Sequence, residues 1–554
     1  MRILGISCYF HDAAAALLED GRLIAAAEEE RFSRRKHDAS FPTRAIRFCL
    51  DTAGIDSRGL DRVVFFEKPF LKFERMFASV LASYPLSLDV FREAMLAWLG
   101  DKLWIKNRIV EELGVPASKV LFSEHHLSHA ASAFFCSPFE EAAILTVDGV
   151  GEWATTSIAA GRGNDIHLID EIRFPHSLGL LYSAFTGFLG FEVNEGEYKV
   201  MGMASYGDPR YRDEMDRFIR LRSDGGFELD LEWFTFQRSA SAMLHPKVES
   251  ILGPARRPEA PFIPGDTESR HFADIAASLQ AVTEEAILAL ARRARIRTGL
   301  DKLCLAGGVA QNSAANFRLF REAGFEDIYI QPSPGDGGAA LGAALFAWHL
   351  VEGRPRSFTM DRADWGTDAG EPDDAVVEAA ARRLASGKTV GWVQGRFEWG
   401  PRALGHRSIL ADPRSAAMKD VVNRAIKFRE PFRPFAPAVP AEDAGRYFDI
   451  DRPESSWPAR FMQYVVPVRD AGIPAVTHVD GTARVQAVHA SASPVFHRLL
   501  RRFGEITGVP VLLNTSLNRR GEPMAATAED AVAIFEGSGL DTLVVGSRIV
   551  DKPG

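Results

Sequence analysis

Short apolar runs bounded by turn residues open the chain, and they predict a meander of three strands. Arg2 to Phe10 reads as the first, Ala13 to Leu18 as the second and Arg22 to Ala27 as the third. His11-Asp12 and Asp20-Gly21 supply the turns. The charged run Glu28 to His37 is expected to leave the sheet, as a solvated loop or as one facing substrate. The period then lengthens. Thr43 to Ala53 predicts an amphipathic helix, Arg62 to Phe66 a short strand, and Phe70 to Leu113 a helical stretch. Its large apolar residues, among them Phe77, Leu81, Phe91, Met95, Trp98 and Trp104, read as a core or dimer face.

The strand plan recurs further on. Ala142 to Val147, the turn Asp148-Gly149, Ala154 to Ala160, a turn with Gly161 and Gly163, then Ile166 to Phe174 repeat the opening layout. Two such meanders, each followed by helices, resemble the duplicated actin-like ATPase (ASKHA) fold, whose two acidic turns face each other across a nucleotide cleft. Between and beyond them, Leu178 to Gly190 predicts a helix, Glu195 to Ala204 a loop, Phe227 to Pro264 an irregular insertion, and His271 to Arg297 a strong helix. The apolar stripe of that last helix is Ile275, Leu279, Val282, Ala286 and Leu290. Residues 1–353 are assigned to a first domain, 354–374 to a polar linker, and 375–554 to a second α/β domain opening with the helix Ala375 to Leu384 and the strand Thr389 to Val393.

Composition narrows the function classes. A chain of 554 residues exceeds one core. The net charge of −9 disfavours nucleic-acid binding by bulk electrostatics. Four scattered cysteines form no CxxC pair and suit a cytoplasmic protein. No apolar run reaches transmembrane length.

Three segments carry candidate chemistry. In Ser123 to Trp153, His125 and His129 lie four apart in a helical segment, so both imidazoles share one face and can grip a metal with a carboxylate from elsewhere. His126 beside them reads as a surface or substrate-contacting residue. Next, the strands Lys302 to Leu305 and Ile328 to Gln331 run into Ala306-Gly307-Gly308-Val309-Ala310-Gln311-Asn312 and Pro332-Ser333-Pro334-Gly335-Asp336-Gly337-Gly338. Glycines at strand-to-helix turns admit a nucleotide backbone, and Asp336 stands unscreened between two of them. Last, residues 401–433 hold eight basic side chains against three acidic ones. Such a concentration suggests a phosphate pocket, with a solvated basic patch as the alternative.

The motifs FHDAAAALL, EHHLSHAASAF, TVDGVGEW, GEYKVMGMASYG, LAGGVAQN, SPGDGGAALGAA, WGPRALGHRSILADPR, KFREPFRPFAP and PVLLNTSLN occur in this order. Together they resemble the NodU/CmcH family of O-carbamoyltransferases over nearly the whole chain. The resemblance implies an actin-like domain whose metal, iron in one family member, is held by the positions His125, His129, Asp148 and Asp336. It implies a YrdC-like C-terminal domain that makes a carbamoyl-adenylate from carbamoyl phosphate and ATP. Arg402, Lys427 and Arg433 carry over as anion-binding and catalytic positions, with Arg484, Asn514 and Ser516 completing the carbamoyl phosphate site. Gly149, Lys199, Gly307, Gly308, Asn312 and Gly335 carry over as nucleotide contacts, with Mg(2+) accompanying ATP. His11 is assigned either as the base that deprotonates the acceptor hydroxyl or as a turn cap. Expected partners are a small-molecule hydroxyl acceptor and a second copy, not nucleic acid or membrane. Two other functions compete: a tRNA threonylcarbamoylation enzyme, disfavoured by the acidic balance, and a non-catalytic actin-fold nucleotide module, which leaves the basic pocket unused.

Overall fold

Strands β1 (Arg2–Ser7), β2 (Ala14–Glu19) and β3 (Arg22–Glu28) form the first meander, and β4 (Arg62–Phe65) and β5 (Val120–Phe122) extend it. The order is β3-β2-β1-β4-β5, with β1 antiparallel to β2 and parallel to β4. The plan then repeats. β6 (Glu141–Val147), β7 (Ala154–Arg162) and β8 (Asp165–Arg173) form a second meander. After the small pair β9 (Ile219–Leu221) and β10 (Phe227–Leu229), β11 (Lys302–Ala306) and β12 (Asp327–Tyr329) add parallel to it, in the order β12-β11-β6-β7-β8. The two mixed sheets have one topology, which is the duplicated actin-like plan. This computed structural model describes residues 1–100, 102–239 and 242–553.

Small residues set the spacing in this first unit. The helix Asp336–Phe346 reads DGGAALGAALF and is buried over most of its length. A Cβ on Gly5 of β1 would lie 1.8 Å from Ala340 O, and one on Gly342 would lie 1.8 Å from Ser128 O. Only glycine permits contacts this close. They wedge the helix between β1 and the helix His125–Phe134, which brings Asp336 up to the two histidines.

Several sequence expectations change. Glu197–Ala204 is helical, not a loop. The stretch Phe70 to Leu113 is three helices, Pro69–Ala82, Leu88–Gly100 and Ile105–Leu113. The polar stretch 354–374 is not simply a linker: contacts divide the chain between Thr359 and Met360, and β13 (Asp364–Asp368) pairs with β15 (Arg396–Glu398). The second unit comprises 360–554 together with 25–38 and 331–333. The charged run is therefore no open loop. Arg31 is buried, Nη2 donates to Gly400 O at 2.6 Å, and Glu28 accepts from Gly400 N at 2.7 Å. Arg34 donates to Met524 O and Pro523 O.

The second unit is built on one mixed sheet. Its strands are β14 (Val390–Val393), β16 (Arg407–Ala411), β17 (Ala436–Pro440), β18 (Tyr464–Pro467), β19 (Thr482–Val488), β20 (Leu512–Ser516), β21 (Thr542–Val545) and β22 (Arg548–Asp551). Their order is β18-β19-β17-β20-β16-β14-β21-β22. The helices Asp374–Ala385 and Pro494–Thr507 pack Ala380, Leu384, Leu499 and Phe503 against Trp392, Leu410 and Leu512. Alternate residues share a strand face. Along β20 that face runs Leu512, Asn514, Ser516, and along β19 it runs Val488, Gln486, Arg484. It thus passes from apolar to charged within two steps.

Candidate functional site

Four side chains from four segments converge in the first unit. His125 and His129 come from successive turns of the helix His125–Phe134, Asp148 from the end of β6, and Asp336 from the first turn of its helix. One donor atom from each lies within 4.8 Å of the others. His125 Nε2 is 2.8 Å from Asp148 Oδ2 and 3.1 Å from His129 Nε2, which is 3.2 Å from Asp336 Oδ1. All four are buried. Glu152 starts the helix by accepting from His125 N at 3.0 Å, a carboxylate on the positive helix end.

The set fits a divalent cation. Both Asp336 oxygens are buried and make no hydrogen bond of good geometry, a costly state for a carboxylate. Burial opposes charge on His125, but the field of Asp336 and the hydrogen bond to Asp148 carry its pKa well above the ordinary value. His129 is likewise raised, against burial, by its close contacts with Asp148 and Asp336. Asp148, also against burial, is held well below the carboxylate range by the two imidazoles. Proton charge balances the carboxylates here, and a dication would do the same on displacing those protons.

A second layer, which no sequence pattern announced, surrounds His125. Glu67 Oε2 lies 3.5 Å from His125 Nδ1 and accepts from Lys72 Nζ at 2.6 Å. Burial works against the Glu67 charge, yet Lys72 and His125 bring its pKa down to about 2. Asp148 Oδ1 in turn accepts from Gly308 N at 2.8 Å. Gly307 makes this possible with φ +95°, and a Cβ there would lie 2.2 Å from Val147 O. Gly307→Ala is expected to cost about 1–3 kcal/mol in backbone strain alone, with the steric clash added, read as a lowered denaturation midpoint.

The other first-unit candidates divide. Gly149 has open space around its Cα, and a Cβ on Gly335 would be 3.0 Å from Gln311 Nε2. Asn312 is committed elsewhere: its side chain exchanges hydrogen bonds with Gln280 at 2.9 and 3.0 Å and caps the helix Ser313–Glu322 through Ala315 N. Lys199 lies over the Phe191 ring. His126 is not at the surface: it is buried, its Nδ1 is bonded to Thr146 Oγ1 at 2.6 Å, and its Nε2 makes no hydrogen bond of good geometry. His11 sits in the β1–β2 turn, 3.0 Å from Asp12. Burial lowers its pKa, but Asp12, Asp336 and Asp148 together raise it to about 9. In this field it is protonated at neutral pH. A cation held by the four side chains would offset those aspartates and lower its pKa.

Part of the basic segment of the second unit is committed within the fold. Arg407 is buried and spends its guanidinium on carbonyls of Gln394, Gly395, Thr367 and Ala526. Arg414 pairs with Asp412. Arg402 Nη1 donates to Met462 O at 2.7 Å and to Gln463 Oε1, and Arg433 lies 3.7 Å from Glu430, yet Arg402, Arg433, Lys427 and Arg484 still form a chain of mutually repelling cations. Burial lowers Arg402 well below its ordinary range, with Arg484 adding to the effect. Burial and then Arg433 bring Arg484 to about 10. Burial, Arg429 and Arg433 lower Lys427 strongly. Lys427 Nζ touches only neutral oxygens, Ser516 O at 2.6 Å, Ser516 Oγ at 3.2 Å, Asn518 O at 3.1 Å and Asn518 Oδ1 at 2.5 Å. Its present work is to fix the end of β20. Asn514 donates to Gln486 Oε1 and Ala403 O while its Oδ1 stays buried without a donor. Arg484 Nε is also buried without an acceptor. Glu398, fully buried, organises the loop that carries Arg402 by accepting N–H groups from Leu404, His406 and Arg407 at 2.8, 2.8 and 3.0 Å. Cations crowded together in this way favour an anion.

Comparison with known proteins adds a family to this geometry. The family description "Carbamoyltransferase N-terminus" matches residues 2–345, and "Carbamoyltransferase C-terminus" matches residues 381–552. An uncharacterized protein of Synechocystis is 45% identical, covering 99% of this chain and 96% of its own. Nodulation protein NolNO of Sinorhizobium fredii is 39% identical over 98% of this chain and 79% of its own. The 3'-hydroxymethylcephem-O-carbamoyltransferase of Amycolatopsis lactamdurans is 39% identical over 44% of this chain and 48% of its own.

Proposed function

Because the chain belongs to the carbamoyltransferase family, we propose that it is an ATP-dependent O-carbamoyltransferase acting on a hydroxyl of a small molecule. The observation that carries this reading is the buried convergence of His125, His129, Asp148 and Asp336. Two imidazole nitrogens with two carboxylates suit Fe(2+) or another first-row divalent ion more than Mg(2+), which we assign to the triphosphate of ATP. When bound, the ion supplies Lewis acidity toward the nucleotide phosphate and the acyl oxygen.

The protein's own residues do the rest. The second unit, read as YrdC-like, holds the phosphate of carbamoyl phosphate on Arg402, Arg433 and Arg484, while Lys427 and Asn514 keep the strand ends in place. One carbamoyl phosphate, one ATP and one water give carbamoyl-adenylate, pyrophosphate and phosphate. Adenylation converts a poor electrophile into one with a good leaving group. In the first unit, Gly149 leaves backbone room for the adenylate. His11 takes the acceptor's hydroxyl proton, the oxygen attacks the carbamoyl carbon, and AMP departs.

Purified protein given ATP and carbamoyl phosphate should release pyrophosphate, and an alcohol mixture added to it should yield a carbamoylated product by mass. Absence of both would overturn the reading. Glu67 sets a finer test. Glu67→Gln should weaken divalent-ion binding roughly 10–100-fold, measured by titration with a chelator, with the fold retained by circular dichroism.

A further inference from the structure

The helices Pro69–Ala82 and Leu88–Gly100 form a hairpin whose outer face the carbamoyl chemistry does not use. Its inner side is packed: Phe73 lies 6.0 Å from Trp98 and Phe77 6.3 Å from Phe91, ring centre to ring centre, and Val80 is buried. The outer side stands in solvent. On the first helix Phe70, Phe77 and Leu81 are exposed, Phe70 by 67% and Leu81 by 60%. On the second Leu88, Leu96 and Leu99 are exposed, Leu96 by 73%. Tyr84 and Leu86 in the connection, exposed by 70% and 67%, join the two rows.

The spacing makes two stripes. Phe70, Glu74, Phe77 and Leu81 lie on one side of their helix, and Leu88, Arg92, Leu96 and Leu99 on one side of theirs. Each apolar row thus holds one exposed charge, acidic in the first and basic in the second. With roughly 150–250 Å² for a large side chain in the open, the apolar part of this face presents on the order of 1,000 Å². That exceeds the ~300–600 Å² of the largest patch on an ordinary monomer. It matches the ~800 Å² that each partner gives to a stable interface.

We propose that this hairpin face is the two-fold contact between two copies of the chain. A two-fold axis running along the groove between the helices lays the first helix of one copy on the second helix of the other. Such a contact is self-complementary. It covers the leucine and phenylalanine rows of both copies. The same face suits a lipid surface poorly. Beside Arg92 it exposes the acidic Glu74, Asp89 and Glu93, where a membrane-lying helix shows lysine and arginine.

Sedimentation velocity on the full chain at micromolar concentration tests this. The wild type should run as a dimer, and Leu81→Asp with Leu96→Asp should run as a monomer of unchanged circular dichroism. A monomeric wild type overturns the proposal, as does a dimer indifferent to the aspartates. Capture of the monomeric chain by vesicles of anionic lipid would also overturn it.

Discussion

Asp336→Asn is expected to abolish tight metal binding and, with it, the proposed carbamoyl transfer, while pyrophosphate release from ATP and carbamoyl phosphate should persist. The variant keeps the shape of the site but removes one of two carboxylate charges facing His125 and His129 at 3.6 and 3.2 Å. Affinity for a divalent ion should fall by about 100-fold or more, beyond the loss typical of an outer partner. Added metal should raise the melting temperature of the wild type and leave that of the variant unmoved. The pH dependence has a definite sign. Both histidines are raised above the ordinary imidazole value of 6.5. Their contribution to the metal-stripped protein is therefore full below that pH and fades as pH climbs through the raised values. Metal binding runs the other way, because each proton lost from an imidazole frees a ligand. Stripped and loaded protein should show opposite trends in melting temperature through this range. Parallel trends would mean the four side chains do not share one ion.

Arg484→Met should separate binding from stability in the second unit. Burial and the neighbouring Arg433 depress the guanidinium to about 10 from an ordinary 12.5, so its charge is carried at a cost to the fold. Replacing a crowded cation by an apolar side chain of similar length is often neutral or stabilising by about 1–4 kcal/mol. The melting temperature should hold or rise. Affinity for carbamoyl phosphate should fall by about 10–100-fold, the value of one or two charge-assisted hydrogen bonds. Phosphate should stabilise the wild type against heat and do little for the variant. A variant that loses stability and keeps its affinity would show that Arg484 serves the fold and not an anion.

The meanders β1–β3 and β6–β8 were legible because their apolar runs end in turn residues, and the long helix Thr267–Thr298 because its stripe is regular. The histidine pair was legible as a shared helix face. Other features lacked a local signal. Glu197–Ala204, with its Val-Met-Gly-Met-Ala run, gives no stripe to read, so its helix passed for a loop. Asp364–Asp368 reads as polar linker because its pairing with Arg396–Glu398 is decided by tertiary contact. Glu67, Glu152 and Glu398 look like any surface acid, since the N–H groups and the imidazole they serve come from other elements. Counting charges in 401–433 overstated the anion pocket for a related reason: counting cannot tell that Arg407 is consumed by backbone carbonyls.

Residues 25–38 associate with 360–554 even though more than three hundred positions separate them in the chain. During synthesis residues 25–38 leave the ribosome long before the later portion they pack with, and they stay tied to the amino-terminal strands. A fragment cut at the apparent boundary would emerge without the buried Arg31 and the Glu28 carboxylate that grip Gly400, two residues before Arg402. Division of labour between the halves is thus not division of the polypeptide, and neither half is separable by a single cut.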